Sequence, residues 1–535
     1  NDIKSLLKNI TSEWGYQNKY DEADFAKRVK ECFVFPQGFI SQSKTWMKQV
    51  QKWSARLLHE QPQTKVLISN GAWRVALHHS RLCLMLGDHY YSSCEADSTW
   101  QSPLTLYANT DKNRQLKQKL DEHLVKVSAN ALRVGQMLSR FTTDMEVATD
   151  VLALKRKSPQ GYEWQDTAVS KISAFRKQHE QSEEKGYGCF IVNMASTGCG
   201  KTFANAKIMR ALSSDAQSLR YVLALGLRTL TLQTGDEYRE RIGLDNSELA
   251  VLIGSAAVKE LHDKKRASLA EEELSFESQG SESEESLLDE DVNYDGAITV
   301  DFLEAVIRQD KDKAFLYAPV LACTIDHLMA ATETTRGGRY ILPCLRLLSS
   351  DLVIDEVDDF DGQDLIAIGR LIHMAGMLGR KVMISSATIA PALAEGFFNS
   401  YQEGWLLHSQ FRSAHPKVAC VWVDEFTSQI SFVEADKAAE RCQIYEKQHQ
   451  KFIVSRIQSL SNQVAKRKGV IVDCADLYNS DYDASSNEGR TLEQSYFEKI
   501  KQSAISLHQQ HHTVDAITGK RVSFGVVRVA NIPPC

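Results

Sequence analysis

Residues 189–212 read CFIVNMASTGCGKTFANAKIMRAL. An apolar, β-branched run gives way to a loop of small residues and then to a helix-forming segment. That is the setting in which G-x-x-x-x-G-K-[ST] signifies a phosphate-binding loop. Only the leading glycine differs: Ala195 stands at the loop entry, where a small residue suffices. Backbone N–H groups around Ser196, Thr197, Gly198, Cys199, Gly200 and Lys201, at a helix N-terminus, are expected to cradle phosphate. Gly198 and Gly200 remove side chains where the backbone must turn. Lys201 is expected to reach the outer phosphates of ATP, and the Thr202 hydroxyl to hold Mg²⁺.

A second element completes the first. SSDLVIDEVDDF, residues 349–360, is an apolar strand that ends in acids. Asp355 is expected to hold the magnesium, and Glu356 to polarise the attacking water. SSAT, residues 385–388, closes the next strand, and Ser386 and Thr388 are placed to couple nucleotide state to the acids. Upstream, Gln165 in EWQD is placed to read an adenine edge. An acidic strand end or a lone S-A-T means little; their order after a phosphate loop points to a nucleotide hydrolase of helicase type. LRTLTLQTG (227–235), LIGS (252–255) and TIDHL (324–328) follow further strands. Loops of this kind present hydroxyls, amides and guanidinium groups to single-strand phosphates, which position a strand without reading it. Arg228, Thr229, Gln233 and Thr324 are the expected DNA contacts, although a turn or capping role accounts equally well for each alone.

Outward from this core, the chain has 535 residues, 43% of them hydrophobic, enough for several packed domains. Residues 1–150 read as helical, with QSKTWMKQVQKWSARLLHE and WRVALHHSRLCLMLG at helical apolar spacing. From 151 to 410 strands alternate with helices, the pattern of a parallel α/β sheet. VACVWV (418–423) reads as the start of a further α/β domain over 411–535, with RVSFGVVRVA (521–530) as another of its strands. The net charge of −6 is local: residues 271–295 hold eleven acids and no Lys or Arg, leaving 63 basic against 58 acidic side chains elsewhere. The segment at about 264–296 reads as a solvated, mobile insertion. Eleven scattered cysteines without a C-x-x-C pair, and no apolar run of membrane-span length, predict a cytoplasmic protein.

Longer blocks carry a resemblance. NMASTGCGKTFANAKIM, ALGLRTLTLQTG, APVLACTIDHLM, TETTRGGRYILPCLRLLSSDLVIDEVDDFDGQDL, GMLGRKVMISSAT and VSFGVVRVANI resemble the type I-F CRISPR-associated helicase–nuclease, as do LHHSRLCLMLGDHYYSS and LYANTDKN nearer the start. The resemblance implies a multidomain chain: a helical remnant of an HD nuclease domain (1–150), a first RecA-like P-loop domain (151–410) and the beginning of a second (411–535). It implies an ATP-dependent superfamily-2 translocase that pulls and cuts single-stranded DNA after recruitment by an RNA-guided surveillance complex, in antiviral defence. An adaptation integrase and an anti-CRISPR inhibitor are further implied partners, and transition-metal ions the implied nuclease cofactor. Asp88, beside Ser92, matches the family's late metal-binding aspartate; His78 and His79 fit helix polar positions better than ligand positions. One helix does not supply a dinuclear site. His262-Asp263 reads as a surface pair, and His508, His511 and His512 as a solvated helix face. Because the arginine-bearing later motifs of the family have no counterpart, the chain is expected to bind ATP and hydrolyse it poorly. Two other readings share the same core: a superfamily-2 helicase without a CRISPR role, and a nucleotide-binding scaffold without catalysis.

Overall fold

The computed structural model describes residues 37–180, 186–252, 303, 307, 310–332, 340–360, 362–435, 437–464, 469–475 and 492–527. These fall into two compact units, within 1–461 and 462–535.

The first unit opens with helices α1 (Lys44–His59), α2 (Gln61–Ser69), α3 (Trp73–Ser93) and α4 (Leu120–Asp144). After α5 (Glu163–Glu180), the alternation read from the sequence appears as β1 (Gly188–Asn193), α6 (Lys201–Leu212), β2 (Tyr221–Leu225), α7 (Arg228–Glu237) and β3 (Leu249–Leu252). It continues with α8 (Asp310–Tyr317), β4 (Val320–Thr324), α9 (Ile341–Ser349), β5 (Asp351–Asp355), α10 (Gly362–Met377) and β6 (Val382–Ser385). Then come α11 (Pro391–Arg412), β7 (Val418–Val423), β8 (Ser428–Val433) and α12 (Ala438–Ser461). The strands form one eight-stranded sheet in the order β3-β4-β2-β5-β6-β1-β7-β8. All pairs are parallel except β7–β8. This is a doubly covered α/β sheet of RecA-like type.

Strand alternation explains the two layers. Phe190 and Val192 of β1 enter a core shared with α10 and α11, while Cys189 and Ile191 enter the opposite core with Ile208 and Met209 of α6. Burial raises the thiols that lie in these layers: Cys189 and Cys323 are both pushed up to about 12 by desolvation. On the first face α10 and α11 approach closely. A Cβ on Gly404 would lie 2.0 Å from the His373 carbonyl, so only glycine permits that crossing.

Two expected boundaries move. VACVWV does not open a new domain: β7 pairs with β1 from Gly188↔Val418 to Asn193↔Val423, and the compact unit runs on to Ser461. Its fully buried, continuous apolar run is what an interior parallel strand requires. Nor do the first helices stand apart, because Leu82, Leu86, Leu138 and Phe141 share one core with the sheet. His78 and His79 serve that junction. The Tyr340 hydroxyl and His78 Nδ1 are 2.6 Å apart, and the His79 ring stacks on Phe411.

The second unit contains α13 (Leu492–Gln510) and a short antiparallel pair, β9 (Thr513–Val514) with β10 (Arg521–Val522). Of the strand read at 521–530, the first two residues are β10 and those after 527 lie outside the described residues. The acidic segment, His262-Asp263, and Ile253, Gly254 and Ser255 of LIGS lie outside them too. No described helix is long and apolar enough to cross a membrane.

Candidate nucleotide site

The phosphate loop leaves β1 at Asn193 and enters α6 at Lys201. Gly200 caps the helix in the left-handed region, φ 80°, and Gly198 is also left-handed at φ 83°. A Cβ on Gly200 would come within 2.8 Å of the Gln165 amide and 3.0 Å of the Tyr162 ring. Ala195 is not among the described residues with positive φ, so its Cβ brings no backbone strain. Its N–H donates to Asn193 Oδ1 at 3.1 Å.

Register assembles the acids. Ser385 lies opposite both Asn193 of β1 and Asp355 of β5. Asn193 Nδ2 donates to Asn205 Oδ1 at 2.8 Å, and Asn205 Nδ2 to Ser385 Oγ at 2.9 Å. A buried polar chain therefore ties the phosphate-loop strand, its helix and the strand beside the acids. Asp355 is 4% exposed, and desolvation pushes its carboxyl up to about 6 against the hydrogen bond from Ser385 and the charge of Lys201. Glu356 sits in the left-handed region at φ 51°, an uncommon strain for a residue with a Cβ. Its carboxylate lies 2.8 Å from the buried Lys201 ammonium, close but not aligned as a hydrogen bond.

Lys201, Thr202, Thr197, Gly198, Gly200, Gln165 and Glu356 line one cavity of about 480 Å³, together with Tyr162, Phe203, Glu237 and Arg241. The start of α5 is clipped over the loop. Trp164 Nε1 donates to the Cys199 carbonyl at 3.2 Å, Gln165 Nε2 to that of Gly200 at 3.1 Å, and Lys207 Nζ to Asp166 at 2.6 Å. Ser386 and Thr388 do bond an acid of the DEVD run, but the acceptor is Asp358, at 2.6 Å in each case. Ser196 faces away from the cavity, toward Glu425.

Gln233 is exposed on α7, whereas Thr324 is 4% exposed at the end of β4, its hydroxyl 3.0 Å from His327 Nδ1. Arg228 and Thr229 open α7, but their side chains lie outside what is described. Asp88 pairs with His123 Nε2 at 2.9 Å, and His123 in turn meets Gln118. Among the described residues no group of three or more His, Cys, Asp or Glu could hold a metal, so no nuclease metal site forms around Asp88 there. His508 bonds Ser523 at 2.6 Å instead of joining such a group.

Sequence reading misses Tyr162, Glu237, Arg241 and Glu425, none of which carries a local motif.

No model of a known protein family matches the chain. Individual proteins do. It is 38% identical over 98% of its length to a curated Pseudomonas aeruginosa (strain UCBPP-PA14) protein, CRISPR-associated nuclease/helicase Cas3 subtype I-F/YPEST. It is 37% identical over 99% of its length to the Pectobacterium atrosepticum protein of the same description. The chain is a homologue of these Cas3 proteins. It spans about half their length, covering 47% of each. Crystal structures of T. fusca Cas3 with AMPPNP and with ATP align over 53% of the chain at 18% identity, with TM-scores of 0.33 and 0.32. At that level of superposition the likeness decides nothing about the site.

Proposed function

We propose that the first unit is an ATP-hydrolysing motor of a Cas3-type DNA translocase, acting in antiviral defence. The observation that carries this reading is the convergence of Lys201, Thr202 and Glu356 on one cavity, with Asp355 buried within reach of the Lys201 charge. A buried ammonium without an aligned hydrogen bond suits an anionic phosphate. The Asp355 carboxylate and the Thr202 hydroxyl are the hard oxygen donors that suit a magnesium ion. Magnesium held by Thr202 and Asp355 would neutralise phosphate charge and polarise the bond to be cleaved.

The chain's own groups do the rest. Loop N–H groups and Lys201 draw the phosphates into the cavity, and Lys201 exchanges Glu356 for them. The released Glu356 carboxylate, held at its strained backbone position, orients a water and takes its proton. Tyr162 offers a ring face to the base, while Gln165, 2% exposed, has its amide bonded to the Gly200 carbonyl and the Ser158 hydroxyl and acts by holding the loop. Asp358 carries the state of the acids to Ser386 and Thr388 at 2.6 Å. A scaffold without catalysis shares the cavity but leaves the strain at Glu356 without a use.

Single-stranded DNA as track, a type I-F surveillance complex as recruiter, an adaptation integrase and an anti-CRISPR inhibitor as further partners, and a metal-dependent HD nuclease in the whole protein are part of the same proposal and rest on the family resemblance of the sequence blocks. The hydrolysis scheme is independent of a nuclease metal, whose ligands the described residues do not assemble. ATP turnover of the chain with and without single-stranded DNA tests the proposal. Turnover of the chain is expected to be slow, and Glu356→Gln should keep nucleotide affinity while lowering what remains on the order of 10²- to 10⁴-fold. Unchanged turnover in that variant contradicts the assigned role.

A further inference from the structure

Beside the phosphate loop lies a charged group that the hydrolysis scheme leaves unused. β7 runs in register with β1 to its last residue, and the Met194 N–H donates to the Val423 carbonyl at 2.8 Å. The turn from β7 to β8 therefore emerges next to the loop entry. That turn is rigid: Asp424 Oδ1 accepts from the N–H groups of Phe426 and Thr427 at 2.8 and 2.7 Å. It presents Glu425, whose carboxylate accepts from the Ser196 N–H at 3.1 Å and the Ser196 hydroxyl at 2.5 Å. Arg456 of α12, 5% exposed, closes the group. It donates to Glu425 Oε2 at 2.8 Å and to Ser196 Oγ at 3.1 Å, and lies 3.1 Å from Asp424 Oδ2.

An acid beside an anion-binding loop is unfavourable unless something offsets it. Here a buried guanidinium does so, while both Glu425 oxygens stay committed to Ser196, outside the cavity-lining run from Thr197 to Thr202. Burial opposes the ionised form of Glu425, yet the bonds from Ser196 and Arg456 hold its carboxyl below the ordinary range.

We propose that Glu425, held by Arg456, is a positioning residue for the phosphate loop: it grips Ser196 from behind so that the following N–H groups face the nucleotide. The inference rests on the nucleotide-site reading above. Preorganisation of this kind lowers the ordering cost of binding. Because Arg456 lies near the end of α12, the last helix of the first unit, the grip also ties that helix to the loop.

The test is titration of the 535-residue chain with fluorescent ADP and magnesium, run beside thermal melting without nucleotide. Glu425→Ala should weaken affinity about tenfold, Ser196→Ala about threefold, and the two effects should not add, because they remove one interaction. Glu425→Gln keeps an acceptor for the Ser196 N–H and should restore part of the affinity. Arg456→Ala should cost more than Glu425→Ala, because it leaves an unoffset carboxylate at an anion site, and adding Glu425→Gln should recover part of that loss. Lower melting temperatures with unchanged affinity overturn the proposal, as does an Arg456→Ala loss that Glu425→Gln does not relieve. If Glu425→Ala does not fold, Ser196→Ala decides alone. If the unaltered chain binds no better than Lys201→Ala, the nucleotide reading itself has failed and this proposal falls with it.

Discussion

The two edges of the one sheet are built from opposite chemistry. At the edge where strands begin, guanidinium groups meet carbonyls. Arg346, fully buried, donates to the carbonyls of Phe315, Leu316, Ala318, Tyr221 and Pro319 at 2.5 to 3.2 Å. Arg220 does the same toward Glu146, Leu316, Tyr317 and Ser349. Most of these carbonyls end α8 or lie in the turn from it to β4, where helix backbone runs out of partners. At the edge where strands end, Lys201 meets Glu356 inside a cavity, and Arg456 meets Asp424 and Glu425 behind the loop that lines it. One edge is finished; the other is poised to exchange a partner. In open α/β sheets ligands bind in the crevice outside the carboxyl ends of the strands.

The largest expected effect breaks the finished edge. Arg346→Met removes a buried donor shared by five carbonyls and should cost on the order of 4 kcal/mol, read as a lowered denaturation midpoint. If nucleotide affinity fell while stability held, the division between the edges would be wrong. Next comes pH. Burial is the first cause in holding His78, His408 and His449 down to about 4, and among the described residues neither ring nitrogen of His449 has a hydrogen-bond partner. Unfolded histidine takes up its proton near pH 6.5, before the folded form does, so stability should fall as pH drops from 6.5 toward 4. Each contributes up to about 3 kcal/mol across that window. Asp355, raised to about 6, acts in the other direction between its unfolded value and 6. Melting at pH 7 and pH 5 should show a net loss, smaller in His449→Phe. The smallest effect concerns the loop entry. Ala195→Gly restores the usual glycine, yet it should gain no nucleotide affinity and should lower stability by roughly 0.5 kcal/mol through added chain entropy.

These contrasts also mark what a sequence reveals. The nucleotide cavity is legible because its parts are local: the loop, the DEVD strand end and SSAT each declare their chemistry within a few residues. The alternation of strands and helices likewise betrays the parallel sheet. What stays hidden depends on distance along the chain. Glu425 meets Ser196 across 229 positions and Arg456 across 260, so neither carries a motif. VACVWV is recognisable as a strand, but an apolar run does not say which sheet it completes; here it pairs with β1. Thr324 suits a phosphate contact by residue type, but its burial follows from the short turn after β4 that brings His327 back to it. Asp88 has the residue type of a metal ligand, and its partner among the described residues is His123 on the next helix.

The most direct test of the central claim is calorimetric titration of the chain with MgATP, beside Lys201→Ala. The account predicts saturable binding that weakens about 100-fold when the ammonium is removed, in keeping with the loss of charge-assisted bonds to phosphate. Equal affinity in the two proteins would contradict it, and the cavity between Gln165 and Glu356 would not be a nucleotide site.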